Sequence, residues 1–360
     1  MSGTDLGRRA FSSPSSLGMI EESLLRSQSL LRQSTERILE YPKNVWVESS
    51  KIWRIAFPAM LTRVSTFGVL IVTQAFIGHV GATQLAAYAF IQILGVRFVN
   101  GILIGMSSAT ETLCGQAFDL WPVMKMSATS GIMQCLELWY TAILVLIAGY
   151  MPNASVIVSA FSICVNIVAF VFMVCLGFQA SVSVRVSNEL GEGNAKAASY
   201  AVKINLANSV GVGVVFAVLC LCFGRQISCI FTSEEAVVEM VSSLSVLLCL
   251  TILVYSAQPV YCGVAIGCGR QTTAAWVNFV SFYIIGIPVG VGLAYVALWE
   301  VKGMWIGLLV GLATQTVILA ILVWKTNWEE QVEKAQERVN RWFYRVPGDE
   351  DDEENPTKSI

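Results

Sequence analysis

Charge is scarce in this chain. Only 13% of its 360 residues are Asp, Glu, Lys or Arg, 55% are hydrophobic, and mean hydropathy is +0.64. A water-soluble domain carries about a quarter charged residues, so a soluble globular fold is excluded. Histidine is nearly missing: His79 stands alone, which removes a histidine-based zinc site and a Ser/His hydrolase centre. A basic excess is missing too. Net charge is -2, with acidic residues gathered near the C-terminal end, the opposite of a nucleic-acid binder's footprint. No GxxxxGK[ST] stretch is present, which argues against an ATP-driven pump. The ten cysteines lie mostly singly in apolar runs, as at Cys135, Cys164, Cys175 and Cys249, or as Cys220 and Cys222. That is no metal-ligand spacing, and they read as small packing residues. Neither an enzyme, a metal site nor an organic cofactor is expected.

What is present is apolar length. About 20 apolar residues in a helix cross the hydrocarbon core, and about eight such runs follow one another near 52–77, 84–107, 127–150, 154–182, 202–223, 238–266, 274–298 and 303–324. Glycine is frequent inside them, as in packed membrane helices. The fold class is therefore an all-α integral membrane protein, multi-pass, with the lipid bilayer as its main partner. Lys and Arg prefer cytoplasmic loops. With the N-terminus inside, inner loops carry Lys125, Arg185, Lys196 and Arg270, and outer loops only Arg225 and Lys302. An even number of spans returns the C-terminus to the cytosol.

The organisation expected is a cytosolic N-terminal tail (1–45), two spans (46–118), six spans (119–325), and a cytosolic helix with an acidic tail (326–360). Within the first tail, leucines at helical spacing from Glu21 to Leu39 suit a short surface helix. The stretch Asp349 to Glu354 reads as a solvated acidic run. Residues from Phe57 to Phe118 can be laid over Met126 to Leu190 at an offset near 71 or 72, bringing Gly78 onto Gly149, Gly105 onto Gly177 and Gln116 onto Asn188. Repeated halves flanking a substrate path are how many secondary transporters are built. The second copy continues for four more helices, whereas the first stops at Phe118 and passes into Asp119-Leu120-Trp121-Pro122.

Several stretches carry a family resemblance: FIGHVG (Phe76 to Gly81), LAAYA (Leu85 to Ala89), GMSSATETLCGQAF (Gly105 to Phe118), LELWY (Leu136 to Tyr140), SVRVSNELGEGNAKAA (Ser183 to Ala198), QPVYCGVAIGCG (Gln258 to Gly269), FYIIGIP (Phe282 to Pro288) and TNWEEQV (Thr326 to Val332). On these the chain resembles the plant DETOXIFICATION proteins of the multidrug and toxic compound extrusion (MATE) family. The resemblance implies a MATE-type helical bundle of two six-helix lobes around a central cleft, exchanging a small organic solute for protons or sodium, as a monomer in the vacuolar or plasma membrane. Against that pattern the chain looks like helices one and two joined to helices seven to twelve, about eight spans instead of twelve, with a complete C-terminal lobe, a partial N-terminal lobe and a seam at Phe118 and Asp119. Two readings follow: a proton- or sodium-coupled antiporter of organic solutes, or a non-transporting shortened form of one.

Glu137 is the sharpest functional candidate, in the middle of the third run. A carboxylate at a helix centre costs about 2.5–3.5 kcal/mol, so such residues usually face a cavity and serve an ion path. Ser127, Ser130, Gln134, Glu137 and Thr141 follow spacings of three and four and form one polar stripe. A structural carboxyl hydrogen-bonded between helices is the plainer alternative. The resemblance places Glu137 on the family's acidic coupling residue in the seventh helix. A second stripe carries Thr251, Tyr255, Gln258 and Cys262, beside Pro259. Some family members have an acidic residue at the position of Tyr255, so Glu137 is expected to act largely alone here. Gln134, Tyr140, Thr141, Asn166, Tyr255, Gln258, Asn278 and Tyr283 are the expected cavity residues, each of the last two and Asn166 equally suited to joining helices. Arg97, Asn100 and Glu111 suit structural pairing or snorkelling. Glu111, Gln116, Arg185, Asn188 and Glu189 read as parts of a cytoplasmic gate or loop clamp. The G-E-G at Gly191 and G-C-G at Gly267 lack a strand-to-helix context and are not nucleotide loops.

Overall fold

The computed structural model describes residues 16–96, 99 and 120–343. All regular structure among them is helical, as hydrocarbon requires of a backbone that must satisfy its own N–H and C=O groups. Two compact units divide after Ser50. In the first, residues 16–50 are helical, the opening of α1 (Ser16–Gly78), and take in the stretch Glu21 to Leu39.

Among the described residues seven stretches are long and apolar enough to span a membrane: 44–78, 131–148, 154–191, 195–231, 245–267, 271–296 and 300–324. The run expected at 84–107 is described through α2 (Ala82–Phe90) and a π-helical turn, Ile91–Val96. Arg97, Asn100, Glu111, Gln116, the Phe118 to Asp119 seam and the acidic tail lie outside the described residues. The chain continues as α3 (Leu120–Ala148), α4 (Ala154–Gly191), α5 (Ala195–Phe231), the short α6 (Glu235–Ser243) and α7 (Ser245–Gly267). Then come α8 (Gln271–Phe279), α9 (Ile287–Val291), α10 (Glu300–Trp324) and α11 (Trp328–Phe343).

Helix α4 is apolar on every face, the pattern of a helix with no water-facing side. Its most apolar window is 78% buried, against 22% for α5 and 17% for the first span, so α4 is the axis of the bundle and the other two lie at its edge. The part of α1 from Lys51 onward runs antiparallel along α4. At one end Ser181 Oγ donates to the Ile52 carbonyl at 3.1 Å, and at the other Gln74 Nε2 donates to Ser162 Oγ at 2.7 Å. On another side α7 lies so close that a Cβ on Gly263 would stand 2.5 Å from the Gln179 carbonyl oxygen. Small residues that let backbones meet are the usual way membrane helices gain dispersion contacts.

Two expected spans are less regular than their hydropathy suggests. The run 238–266 breaks at Leu244, between α6 and α7. The run 274–298 alternates α and π turns, with Val280–Gly286 and Gly292–Val296 π-helical around α9 and its Pro288. The two glycine pairs are helix stops. At the end of α4, Gly193 takes φ +83°, its N–H donates to the Leu190 carbonyl and that of Asn194 to the Glu189 carbonyl. At the end of α7, Gly269 takes φ +72°, with Gly269 N–H on Ile266 and Arg270 N–H on Ala265. This left-handed closure satisfies carbonyls a helix end would otherwise leave open. Asn194 then caps α5 by accepting from the Ala197 N–H at 3.2 Å.

Candidate functional site

The polar stripes meet inside the bundle. Glu137, 6% exposed, projects from α3, and its Oε2 accepts from Gln258 Nε2 of α7 at 3.4 Å. That is long for a hydrogen bond. Glu137 Oε1 has no partner, and neither does Gln258 Oε1. The same Gln258 amide also reaches Cys262 Sγ at 3.3 Å. From the far side Gln315 of α10 approaches that sulfur at 3.8 Å and donates to Asn278 Oδ1 at 2.6 Å, while Asn278 Nδ2 donates to the Met133 carbonyl of α3 at 3.2 Å. A buried polar chain therefore joins α3, α7, α10 and α8, with Glu137 at one end.

Glu137 opens onto a cavity of about 70 Å³, room for about two waters. Thr141 and Leu138 of α3, Phe172 of α4, Tyr255 of α7 and Trp305 of α10 line it, and Phe67 and Leu70 of α1 and Val96 close its remaining side. The aromatic walls are fixed. Tyr255 meets Phe172 edge-on at 5.1 Å, Trp305 meets Phe161 edge-on at 5.1 Å, and Trp305 Nε1 donates to Thr251 Oγ1 at 3.1 Å. The site is thus apolar, aromatic and carries a single carboxylate, and no cation pairs with Glu137 among the described residues.

The expected cavity residues separate into two groups. Thr141 and Tyr255 line the cavity with Glu137, and Gln258 stands behind the carboxylate. Tyr140 does not line it: its hydroxyl donates to the Gly307 carbonyl at 2.9 Å and its ring stacks on Phe282 at 4.7 Å, joining α3 to α10. Tyr283 donates to the Leu136 carbonyl at 3.0 Å and Asn278 to Met133, so both join helices. Asn166 is fully buried within α4 and Gln134 half-buried on α3, neither on the cavity wall. Side chains of Ser127 and Ser130 lie outside the described residues. Trp305 and Gln315 were not expected. Gln315 could have been noticed as an amide amid an apolar run, but Trp305 gives no sign in the sequence of reaching Thr251.

At the end of α4, Arg185 pairs with Glu189 at 2.6 Å, one turn apart and largely buried. Asn188 is exposed and its carbonyl receives the Glu192 N–H. Ser187 Oγ reaches the Gly267 carbonyl at 3.3 Å, so this stretch fastens the end of α4 to the end of α7.

The MatE family model matches residues 58–119 and 130–291, well over half of the chain. The chain belongs to the MATE family. Among its relatives, Protein DETOXIFICATION 20 of Arabidopsis thaliana is 34% identical over 474 residues, covering 90% of this chain and 96% of that protein. Protein DETOXIFICATION 22 of the same plant is 33% identical over 469 residues, covering 87% and 95%. An alignment of 474 positions against a chain of 360 residues leaves at least 114 positions of the relative with no counterpart here. Four spans of about 20 residues with their loops would fill such a length. The fold is similar to the crystal structure of the eukaryotic MATE transporter AtDTX14, at 24% identity and a TM-score of 0.59, covering 82% of this chain and 80% of that one. It is also similar to the MATE transporter ClbM in complex with Rb+, at 18% identity and a TM-score of 0.52, covering 64% and 52%. Family and fold together make this MATE protein a multi-pass membrane protein of a transporter family.

Proposed function

We propose that this chain is a secondary antiporter that moves organic solutes against a proton or sodium gradient, with Glu137 as the coupling carboxylate. The supporting observation is the half-satisfied Glu137 carboxyl on the wall of an aromatic cavity. A charge in so apolar a place is costly unless something answers it. Among the described residues the protein supplies one long amide contact and no cation. A proton, a sodium ion or a cationic solute can each answer it, and they compete because there is a single carboxylate. Competition for one site is sufficient for exchange when the site faces the two sides of the membrane in turn. That ClbM was solved with Rb+ bound supports a monovalent cation as one occupant.

The cavity walls suit flat or cationic rings. The cavity holds only about two waters as it stands, so a ring enters when the helices around it part, and Tyr255, Phe172 and Trp305 are then the aromatic groups beside it, each worth about 0.5–2 kcal/mol to a desolvated cation. Residues 46–118 would supply a partial N-terminal lobe and 119–325 the C-terminal lobe, with both ends of the chain cytosolic and the protein in the vacuolar or plasma membrane. Reconstitution tests this reading. Purified protein in proteoliposomes should accumulate ethidium under an imposed pH gradient or an imposed sodium gradient, and not when neither is present. Absence of uptake under both gradients would contradict it.

A further inference from the structure

A second pocket, of about 520 Å³, lies away from the Glu137 cavity, between the turn that follows α7, the turn that follows α10, and α11. Its cationic wall is Arg270, Lys325 and Lys334; its anionic members are Glu330 and Glu337. These charges are not equally free. Lys334 Nζ donates to Glu330 Oε1 at 2.5 Å, and that contact holds the Glu330 carboxyl below the ordinary carboxylate range. Arg270 is half-buried, and its guanidinium donates at 3.3 Å to a neutral oxygen, Thr326 Oγ1. Neither Arg270 nor Lys325 has a carboxylate within ion-pair distance among the described residues. The Arg270 charge also acts on Glu330, and counted together the three cations of the lining outweigh its two carboxylates by one charge.

Position decides what would neutralise that excess. The spans 245–267, 271–296 and 300–324 all have an end at this pocket, so it sits at the edge of the hydrocarbon layer, on the face that the Lys and Arg distribution assigns to the cytoplasm. Trp324 is 87% exposed beside Lys325, the habit of an interfacial anchor. Helix α11 folds back over the ends of α4 and α5, where Gln336 lies against Gly193, and forms the pocket's outer wall. Thr326 spends its hydroxyl proton on the Leu322 carbonyl at 2.7 Å, so the donors left are the Arg270 guanidinium fork and the Lys325 ammonium, which match phosphate oxygens, and basic pockets between membrane helices recognise headgroups.

We propose that Arg270 and Lys325 bind the phosphate of an anionic lipid headgroup, fastening α11 to the ends of the spans. A phosphodiester with one charge matches the net single positive charge of the lining, and headgroups lie at this depth.

The test is lipid retention by the purified full-length protein, followed by native mass spectrometry during titration with phosphatidylinositol, phosphatidylcholine or inorganic phosphate. Wild type should retain phosphatidylinositol in preference to phosphatidylcholine. R270Q/K325Q should weaken phosphatidylinositol about thirtyfold, taking about fivefold for each cation lost near a membrane surface. R270K/K325R, which keeps both charges, should retain it within about threefold, and K302Q, at the far end of α10, should leave it unchanged. Equal retention by R270Q/K325Q and wild type would overturn the proposal. So would equal retention of the two lipids, and so would inorganic phosphate binding as tightly as phosphatidylinositol, which would make this a site for free phosphate.

Discussion

Gln258 reaches across from α7 to place its amide nitrogen 3.4 Å from Glu137 Oε2 on α3, while Glu137 Oε1 and the Gln258 amide oxygen have no partner. The two residues share a contact that neither completes. Q258L removes the donor and leaves both carboxyl oxygens unpartnered, which should cost about 1–3 kcal/mol of stability. In the E137Q background the same substitution should cost less, because an amide does not carry the charge. A double-mutant cycle on thermal unfolding should give a coupling of about 0.5 kcal/mol or more. Strict additivity would separate the two residues.

Tyr255 and Tyr140 make opposite predictions, although both stood in one expected cavity. Tyr255 lines it, so Y255L should weaken ethidium binding by about threefold to thirtyfold through loss of a cation–π partner, and should also lower the melting temperature, because Tyr255 is buried against Phe172. Tyr140 donates to Gly307 across a helix contact, so Y140F should leave ethidium affinity unchanged and cost about 0.6 kcal/mol of stability, a typical interhelical hydrogen bond in a membrane. Binding by fluorescence titration and unfolding on the same samples checks both.

The left-handed glycines predict a third contrast. Gly193 and Gly269 hold positive φ, whereas Gly191 does not and has open space around its Cβ position. G193A and G269A should each lower stability by about 1–2 kcal/mol, and G191A should be near neutral. Thermal unfolding of the three variants orders them.

Much of this site was legible because polar residues in an apolar run betray helix faces. Gln134, Glu137 and Thr141 on one helix, and Thr251, Tyr255, Gln258 and Cys262 on another, are spaced by three and four, and the structure turns Glu137 and Gln258 toward each other. What periodicity cannot supply is the partner on another helix. Gln315 joins Cys262 to Asn278, yet its helix is apolar all round and has no face to read. Trp305 looks like any packing aromatic until its N–H meets Thr251. Local geometry was hidden for a different reason. Hydropathy passes smoothly through Leu244, where a helix ends, and through the π turns around Pro288, because apolar side chains continue whichever hydrogen-bond ladder the backbone adopts. Neither G-E-G nor G-C-G has the strand-to-helix context of a nucleotide loop, and both end helices, at Gly193 and Gly269, since glycine after an apolar run is a stop signal.

The most direct measurement compares two modes of ethidium movement in proteoliposomes carrying wild type or E137Q. One is accumulation driven by an imposed ion gradient, and the other is exchange of labelled for unlabelled ethidium with no gradient. If Glu137 couples ion to solute, E137Q should abolish gradient-driven accumulation while exchange persists at higher ethidium concentration, because the carboxylate's charge is lost but the aromatic cavity and the alternating bundle remain. Gradient-driven accumulation by E137Q at the wild-type rate would contradict the account.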